Sequence, residues 1–486
     1  MTTPERSGSW PVPVAGRPIV RGHIASFRSI AHRRDRRYGP TARAGSLQTR
    51  VIDEASLGCP RATVRFASAS RTNLLRRVTT EAQMSERDQV PFPATEYSDR
   101  LDRVRKAADD RGLDLLVLTD PKNICYLTGY DTYAFYVTQA LLVPVSGEQP
   151  RLIVRGIDVT AAQWTTRLSD DQILGYGDEF VVQDAHPMAF VADVIKANGW
   201  HHLRIAVECD GGSFSPLAMR ILEHELPDAR FADSRRLVEW VRCIKSTREL
   251  AVMCEAGKIS DHAMSVALEA IAPGVAEPAV AAAIYAALVE GVDGLAGSSP
   301  WQPYMAAGQR TNSPHCRWTD RRYRVGEPTM IELGAHRHNY AAGLSRTVFL
   351  GDPPDAYRAL DKAVQRGMAA ALDKLKAGYR AEDVKQAWQL ATTARGVEKG
   401  SRIGYSIGLS FPDTCWVERT VSLAAGDRTV LQPHMTIHLM LAVWLDKIGH
   451  SLSETFIITE GEPESVSSLP RQLTVTHTGQ PHRAGE

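Results

Sequence analysis

The spacing of apolar and polar positions predicts an α/β layer in the first half of the chain. Short apolar runs of strand length alternate there with stretches in which apolar residues recur at helical spacing. The predicted strands and helices are Leu115–Leu118, Ala140–Val145, Arg151–Val154 and Arg204–Val207, and Tyr97–Lys106, Met188–Asn198 and Ser215–Leu226. The first helix is expected to begin at a Ser or Asp cap. This alternation, which ends near residue 236, is typical of an α/β domain.

The pattern then changes to a long helical stretch, predicted from residue 234 to about 271. Ser246, with Glu249 three residues later, fits a capping box and marks a domain joint. The remainder mixes helices with strand-like runs, so we expect an α+β domain that frays from Leu469 on. The predicted elements are the helices Asp355–Leu375 and Ala381–Ala394, and the strands Thr329–Gly334, Ser345–Leu350, Met435–Leu441 and Ser453–Thr459.

Composition limits the class of protein and its partners. The chain of 486 residues is 43% hydrophobic and 23% charged, as expected of a globular protein with two cores. The formal charge of +1 gives no electrostatic case for binding nucleic acid or an anionic membrane, and no apolar run is long enough to span a bilayer. Seven cysteines without a C-x-x-C pair suit a reducing cytoplasm.

Residues 1–83 differ from the rest, because they hold fifteen Arg, no Lys and only five acidic residues, without apolar periodicity. We expect a disordered extension without catalytic function. A transit peptide and a translated upstream stretch, with Met84 as the start, are the alternatives. The predicted organisation is therefore an extension (1–94), an α/β domain (95–240), a catalytic domain (241–475) and a flexible tail (476–486).

Five motifs in the second region carry the first functional signal. They are Pro314-His315, Met330–Ala335, Tyr340–Thr347, Gly404–Gly408 and Ser453–Glu460. Their order and spacing resemble the creatinase/prolidase/aminopeptidase P family, and the resemblance extends over roughly residues 97–470. It implies an α/β N-terminal domain, an α+β "pita-bread" catalytic domain that contains the active site, and a homodimer.

The resemblance also locates a metal site that has lost its ligands. In metal-dependent members, two Asp, one His and two Glu hold two divalent ions that activate water. At those five positions this sequence has Glu332, Gly343, Tyr405, His438 and Glu454. A glycine has no ligating atom and a phenol is an unusual ligand, so too few ligands remain for two ions. We expect no metal and no other cofactor; a single zinc on Glu332, His438 and Glu454 is the alternative.

Further stretches resemble the ectoine hydrolases, metal-free relatives in which Glu, Tyr and His recur at positions 332, 405 and 438. The stretches are Tyr126–Tyr136, Pro227–Asp233, Ala256–Ile259, Arg402–Pro412, Glu418–Leu423, Met435–Met440 and Leu469–Leu473. The resemblance implies hydrolysis of a non-peptide C–N bond in a small zwitterion, with ring opening of ectoine to N-acetyl-diaminobutyrate as the leading case. An amidinium carbon is already electrophilic, so Glu332 would attack it or orient water without a Lewis acid.

Other side chains are assigned roles around Glu332. His315 and His438 are predicted to move protons. Tyr133, Phe135 and Tyr136 are predicted to form an aromatic wall for a cationic ring, which in the family's dimer would cover the neighbouring subunit's pocket. The remaining predicted substrate-binding residues are Tyr340, Tyr405, Arg419 and Glu454, with Arg419 or Arg346 clamping a carboxylate.

Each assignment has a structural alternative. Glu332 could form an ion pair, His438 could be a core histidine, and Glu454 could be a relic that pairs with His438. Ser299–Gly308 and Ala341–Gly343 depart from the ectoine pattern, so another cyclic amidine or an N-acyl amino acid is an alternative substrate. The rival functions are a metal-dependent Xaa-Pro aminopeptidase or prolidase, and a peptidase-like domain that binds peptides without catalysis.

Overall fold

The computed structural model describes residues 90–182, 185–299, 301–411 and 415–476. Most of the predicted extension and the predicted tail lie outside these ranges. The helices are α1 (Ala94–Asp109), α2 (Pro121–Thr128), α3 (Val159–Thr165), α4 (Glu179–Val182), α5 (Pro187–Ala197), α6 (Pro216–Glu225), α7 (Leu237–Arg242), α8 (Thr247–Ala270), α9 (Glu277–Glu290), α10 (Asp355–Lys374) and α11 (Ala381–Thr393).

The strands fall into a first sheet, a second sheet and a short pair. The first sheet contains β1 (Leu115–Leu118), β2 (Ala140–Pro144), β3 (Arg151–Arg155), β4 (Ile173–Tyr176), β5 (Arg204–Val207) and β6 (Arg230–Asp233). The second contains β7 (Tyr304–Ala307), β8 (Pro328–Arg337), β9 (Tyr340–Leu350), β10 (Gly404–Ile407), β11 (Val417–Ser422), β12 (Thr436–Met440), β15 (Ser453–Ile457), β16 (Glu464–Ser465) and β17 (Thr474–Thr476). Strands β13 (Val443–Trp444) and β14 (Gly449–His450) form the pair.

The first sheet has the strand order β4-β3-β2-β1-β5-β6, with β1, β5 and β6 parallel. Its central strands are apolar and buried along their whole length, because helices cover both faces. The predicted strands are confirmed, while β4 and β6 were not predicted. Helix α1 begins earlier than predicted, at Ala94, with the extended Pro93 before it rather than a Ser or Asp cap.

The predicted helix over residues 234–271 is two helices, α7 and α8. The chain between them is extended at Ile244, which pairs with Met435 in the second part of the molecule, and a helix cannot continue through such a bridge. The Ser246 hydroxyl accepts from the backbone N–H of Glu249, and the Glu249 carboxylate accepts from the backbone N–H of Ser246. The predicted capping box at the start of α8 is therefore confirmed. Helices α8 and α9 then bury their apolar faces against the second sheet.

A long hairpin forms the centre of the second sheet. Strands β8 and β9 pair along their whole length and turn at His338 and Asn339, which both have positive φ. Such a two-residue turn matches the twist of the strands and allows long pairing. Strand β17 adds in parallel to the far end of β9, so Leu469 does not begin a frayed tail as expected.

Buried charged groups join the two parts of the chain beside the second sheet. The ammonium of Lys122, in α2, donates to the carbonyls of Cys415 (2.8 Å) and Val417 (3.2 Å). Arg242, in α7, forms a buried ion pair of 2.6 Å with Glu418. Removing one partner from such a pair costs about 3–5 kcal/mol, so these contacts fix the loop before β11 in place.

Candidate active site

A cavity of about 300 Å³ opens on one face of the second sheet. Its floor comes from β7 and β8, and its sides from the segments around residues 313–316, 401–405, 415–417 and 440–444. Most of the lining is aromatic or aliphatic. The charged or titratable side chains among the described lining residues are Glu332, Arg402, His315, two tyrosines and two cysteines.

The register of the sheet explains why the central residues meet. Cross-strand partners share a face, and Glu332 is paired with Tyr304 on one side and Ser345 on the other. His438 is likewise paired with Tyr405 and Thr455. Because side chains alternate between the two faces of a strand, this register directs Glu332, Tyr405 and His438 to the same face. The structure thus brings together three of the predicted site residues.

Glu332 and His438 form the polar centre. Oε1 of Glu332 lies 3.3 Å from Nε2 of His438. His438 is fully buried behind Glu332, whose side chain is 18% exposed and reaches the cavity. The two groups are not aligned for a hydrogen bond, so both ring nitrogens of His438 are without a partner among the described residues. A buried polar atom without a partner is rare in a folded protein and marks this histidine as a candidate functional residue.

Gly343 makes room for that imidazole. A Cβ atom at position 343 would lie 3.2 Å from Cε1 and Nδ1 of His438 and 3.3 Å from Cζ2 of Trp416. Even one added methyl group would therefore need a neighbouring ring to move by a few tenths of an ångström. The absence of a side chain at position 343 therefore leaves room for the His438 ring.

Aromatic rings enclose the polar centre. The ring of Tyr405 lies 5.4 Å from that of His438, and the ring of Trp416 lies 6.0 Å from it. The indole N–H of Trp416 donates to the Tyr405 phenol at 3.1 Å. Burial, and then the nearby Glu332, raise the pKa of Tyr405 well above its usual range, so the phenol stays protonated. This wall is neutral and faces a single carboxylate.

His315 stands at the rim of the same cavity. It is exposed, and its ring lies 5.2 Å from the ring of Tyr304. Both His315 and Cys415 have a positive φ, near 60°, which non-glycine residues seldom adopt outside sharp turns and functional sites. The placement of His315 in the cavity agrees with its predicted role, which stays a prediction.

Glu454 lies elsewhere. It is paired with Leu439 in the sheet and so faces the side opposite to His438. Its oxygens are held by Arg346 at 2.5 Å, by Arg471 at 2.8 Å and by Ser465 at 2.9 Å. The alternative in which Glu454 pairs with His438 is therefore wrong. Arg346 is fully engaged there too, since it also donates to the carbonyls of Leu469 and Pro470.

Two other predicted substrate-binding residues lie away from the cavity walls. The Tyr340 side chain is buried and donates to Glu249 at 2.8 Å, in a cluster with Arg100. Arg419 is exposed and pairs with Asp210 of the first part of the chain. Their roles at the substrate stay predictions, but this placement does not favour them.

The predicted aromatic wall belongs to a different part of the surface. Tyr133 and Tyr136 are 73% and 71% exposed, and Phe135 packs against Tyr133 with 6.1 Å between ring centroids. Phe135 and Tyr136 border a small groove at the end of β1 rather than the cavity around Glu332. A role in a neighbouring subunit's pocket stays a prediction.

Comparison with known proteins agrees with this architecture. Residues 100–244 match the creatinase/prolidase N-terminal domain, and residues 251–460 match metallopeptidase family M24. The chain is 39% identical over 388 residues to an uncharacterized hydrolase/peptidase of Sinorhizobium fredii, and 38% identical over 395 residues to the ectoine hydrolase of Halomonas elongata. Each match covers 79% of this chain and 98% of the relative. The chain belongs to the creatinase/prolidase family.

Membership in the creatinase/prolidase family makes the protein a hydrolase and confirms the predicted fold class, an α/β N-terminal domain followed by a pita-bread catalytic domain. Among solved structures, dipeptidase PepE from Mycobacterium ulcerans has a TM-score of 0.68 and 24% identity. The match covers 80% of this chain and all of that one. At this identity it shows the fold alone.

The metal ions used by many members of the creatinase/prolidase family do not fit these residues. In the described part of the chain, no three His, Cys, Asp or Glu side chains converge as a metal site requires. Gly343 supplies no ligand, the phenol of Tyr405 is engaged by Trp416, and Glu454 faces away. Glu332 and His438 are too few to hold a divalent ion.

Several residues of this creatinase/prolidase site were not predicted. Arg402 and Trp444 line the cavity, and Lys399 lies behind it. The Lys399 ammonium donates to the carbonyl of Ala442 at 2.6 Å and sits 4.3 Å from the centre of the Trp444 ring. Arg402 opens a stretch that resembles the ectoine hydrolases, a signal that could have singled it out. Nothing in the sequence marks Lys399, because its partners are backbone carbonyls.

Proposed function

We propose that this protein is a metal-independent hydrolase that cleaves a non-peptide C–N bond in a small zwitterion, with ectoine as the leading substrate. The observation that carries the proposal is the Glu332–His438 pair, which occupies the former metal centre and faces a cavity with neutral aromatic walls. The 38% identity to an ectoine hydrolase over nearly its whole length supports this substrate.

The electrostatics of the cavity favour a substrate with a cationic centre. A carboxylate among aromatic rings attracts a cation, because both the charge and the ring faces are negative. A cyclic amidinium is flat, small and cationic, so it suits a cavity of about 300 Å³. A divalent ion in the same place would repel such a ring.

In the proposed reaction, Glu332 attacks the amidinium carbon or orients the water that does so. The tetrahedral carbon then releases one ring nitrogen, which must take up a proton to leave. We infer that His438 supplies this proton through Glu332 or that His315 supplies it from the rim. Where Glu332 attacks, water then cleaves the bond between its carboxylate and that carbon and restores the free carboxylate. In both routes, net addition of one water opens the ring and yields an N-acetyl-diaminobutyrate isomer.

Several further features belong to the proposal. We infer a domain joint near residue 240, a homodimer, and a reducing cytoplasm as the compartment. The strongly exposed Tyr133 and Tyr136 support a subunit contact. The six cysteines in the described part of the chain are all free, which suits a reducing environment. No described helix is long and apolar enough to cross a membrane.

Incubating the purified protein with ectoine and following the products by NMR tests the substrate and the nucleophile together. We expect ring opening by the native protein, and loss of at least about 1,000-fold in kcat for Glu332→Gln, since the amide neither attacks nor accepts a proton. Glu327→Gln is the matched control, because Glu327 pairs with Arg321 away from the cavity.

Two outcomes would contradict the proposal. If ectoine is not turned over while Xaa-Pro dipeptides are cleaved, the chain is a peptidase. If Glu332→Gln hydrolyses ectoine at the native rate, the carboxylate has no part in the chemistry.

A further inference from the structure

Arg402 is the one arginine among the described residues that line the cavity. Its guanidinium carbon lies 4.4 Å from the centre of the Tyr405 ring. This cation–π contact places the guanidinium over a ring that lines the cavity. Arg402 is exposed and makes no hydrogen bond or ion pair with another described residue, so its N–H donors can face a ligand in the cavity.

The arginines that sequence patterns favoured are committed elsewhere. Arg346 has its donors on Glu454 and on four backbone carbonyls, and it lies on the far face of the sheet. Arg419 pairs with Asp210 at the exposed joint between the two parts of the chain. Neither lines the cavity.

The cavity is therefore bipolar. The Glu332 carboxylate and the Arg402 guanidinium both lie close enough to Tyr405 to act on its pKa, in opposite directions. A molecule with one positive and one negative group satisfies both ends at once, whereas a simple cation satisfies only Glu332. A planar guanidinium binds a carboxylate through two parallel hydrogen bonds, which an ammonium group cannot reproduce.

We propose that Arg402 binds the carboxylate of the substrate and makes the enzyme selective for zwitterions over cations of the same ring. This inference rests on the proposed function, since it takes the substrate to be a small zwitterion whose cationic end faces Glu332. It assigns Arg402 to substrate binding and leaves proton transfer to Glu332 and the histidines.

The test compares two substrates on two enzymes. The substrates are ectoine and the same cyclic amidine without its carboxylate; the enzymes are the native protein and Arg402→Gln. For ectoine we expect the variant to lose about 30- to 100-fold in kcat/KM, mostly through KM, since the lost contact is a charge-assisted pair. For the ring without a carboxylate we expect less than about a threefold change.

Two more variants separate binding from folding. Arg402→Lys keeps the charge but not the fork, so we expect it to recover only part of the loss. Arg395→Gln removes an exposed arginine that bonds only to its own helix end, and should match the native enzyme on both substrates.

The outcomes distinguish this inference from the proposed function. If ectoine is hydrolysed and Arg402→Gln weakens both substrates equally, or neither, the inference is overturned and the function stands. If ectoine is not hydrolysed, the function fails, and thermal-shift binding of ectoine and of small amino acids then decides. Stabilisation that requires Arg402 and the ligand carboxylate supports the inference, and its absence overturns it.

Discussion

At the scale of single residues, the site depends on the fit between Gly343 and the His438 ring. The space that a side chain at 343 would need is filled by the His438 imidazole, which in turn lies beside Glu332. The two positions are therefore coupled, because a side chain at 343 would press on the ring that lies beside Glu332.

Gly343→Ala tests this fit by adding a single methyl group. The added Cβ would meet His438 and Trp416 at 3.2 and 3.3 Å, so we expect one ring to shift. Overpacking of this kind costs about 1–3 kcal/mol in the free energy of unfolding, and we expect kcat to fall at least about tenfold. Urea denaturation and steady-state kinetics measure the two effects. Gly212→Ala, where a Cβ would have open space, is the control. Equal unfolding free energies and equal kcat for the two variants would refute the predicted steric contact at position 343.

The location of individual site residues could be predicted at this scale only where a residue type is unusual for its surroundings. Glu332 in an apolar strand and Tyr405 at a former ligand position were singled out correctly as neighbours in space. Glu454 was misplaced, because adjacent residues of a strand face opposite sides, and sequence alone does not say which of Ser453 and Glu454 points inward. Arg402 was passed over because a surface arginine is common.

At the scale of elements, segments that line the cavity are linked by a side chain that no sequence motif marks. Lys399 precedes β10 and joins the segment between β12 and β13 through the carbonyl of Ala442 and the face of Trp444. Burial, and then the neighbouring Lys385, lower the pKa of Lys399 from 10.5 to about 7, although Glu332 opposes this and Arg402 adds to it. The ammonium is thus held in a setting that disfavours its charge.

This depressed pKa gives a stability prediction with a definite sign. Between about pH 7 and about pH 10, the unfolded chain keeps a proton on Lys399 that the folded protein has released, so stability from this group rises with pH. We expect the unfolding free energy of the native protein, relative to Lys399→Met, to increase by up to about 1.4 kcal/mol per pH unit in that window.

Urea denaturation across the pH range measures this difference. Lys374→Met is the control, since the Lys374 side chain is partly exposed but also lies over an aromatic ring, that of Tyr379. The difference in unfolding free energy between Lys374→Met and the native protein should not change with pH below about pH 10. A flat difference for Lys399→Met as well would show that the lysine titrates normally in the folded state.

The elements themselves were largely predictable from periodicity. The apolar runs of β1, β2, β3 and β5 and the capping box of α8 were predicted and are present. The break between α7 and α8 was not, because it arises from a bridge between Ile244 and Met435, far apart in sequence. Strands β4 and β6 were missed since they are only partly buried and lack a clear apolar run.

At the scale of the whole molecule, the fold places a catalytic sheet against an α/β domain and fixes the cavity loop between them. Lys122 and Arg242, from the first part of the chain, hold Cys415, Val417 and Glu418. The order of motifs predicted this architecture. It could not predict which rings would close around Glu332, because Trp416 and Trp444 reach the cavity only once distant segments have packed.

The central claim is that hydrolysis here needs no metal, and the most direct test is the rate of a metal-stripped enzyme. The protein is dialysed against a strong chelator, its Mn, Zn, Co and Fe content is determined by elemental analysis, and its kcat for ectoine is measured on the same sample. Metal-independent hydrolysis predicts the native kcat at a metal content far below one ion per chain. Loss of activity on stripping, followed by recovery when Mn²⁺, Zn²⁺ or Co²⁺ is returned, would contradict it.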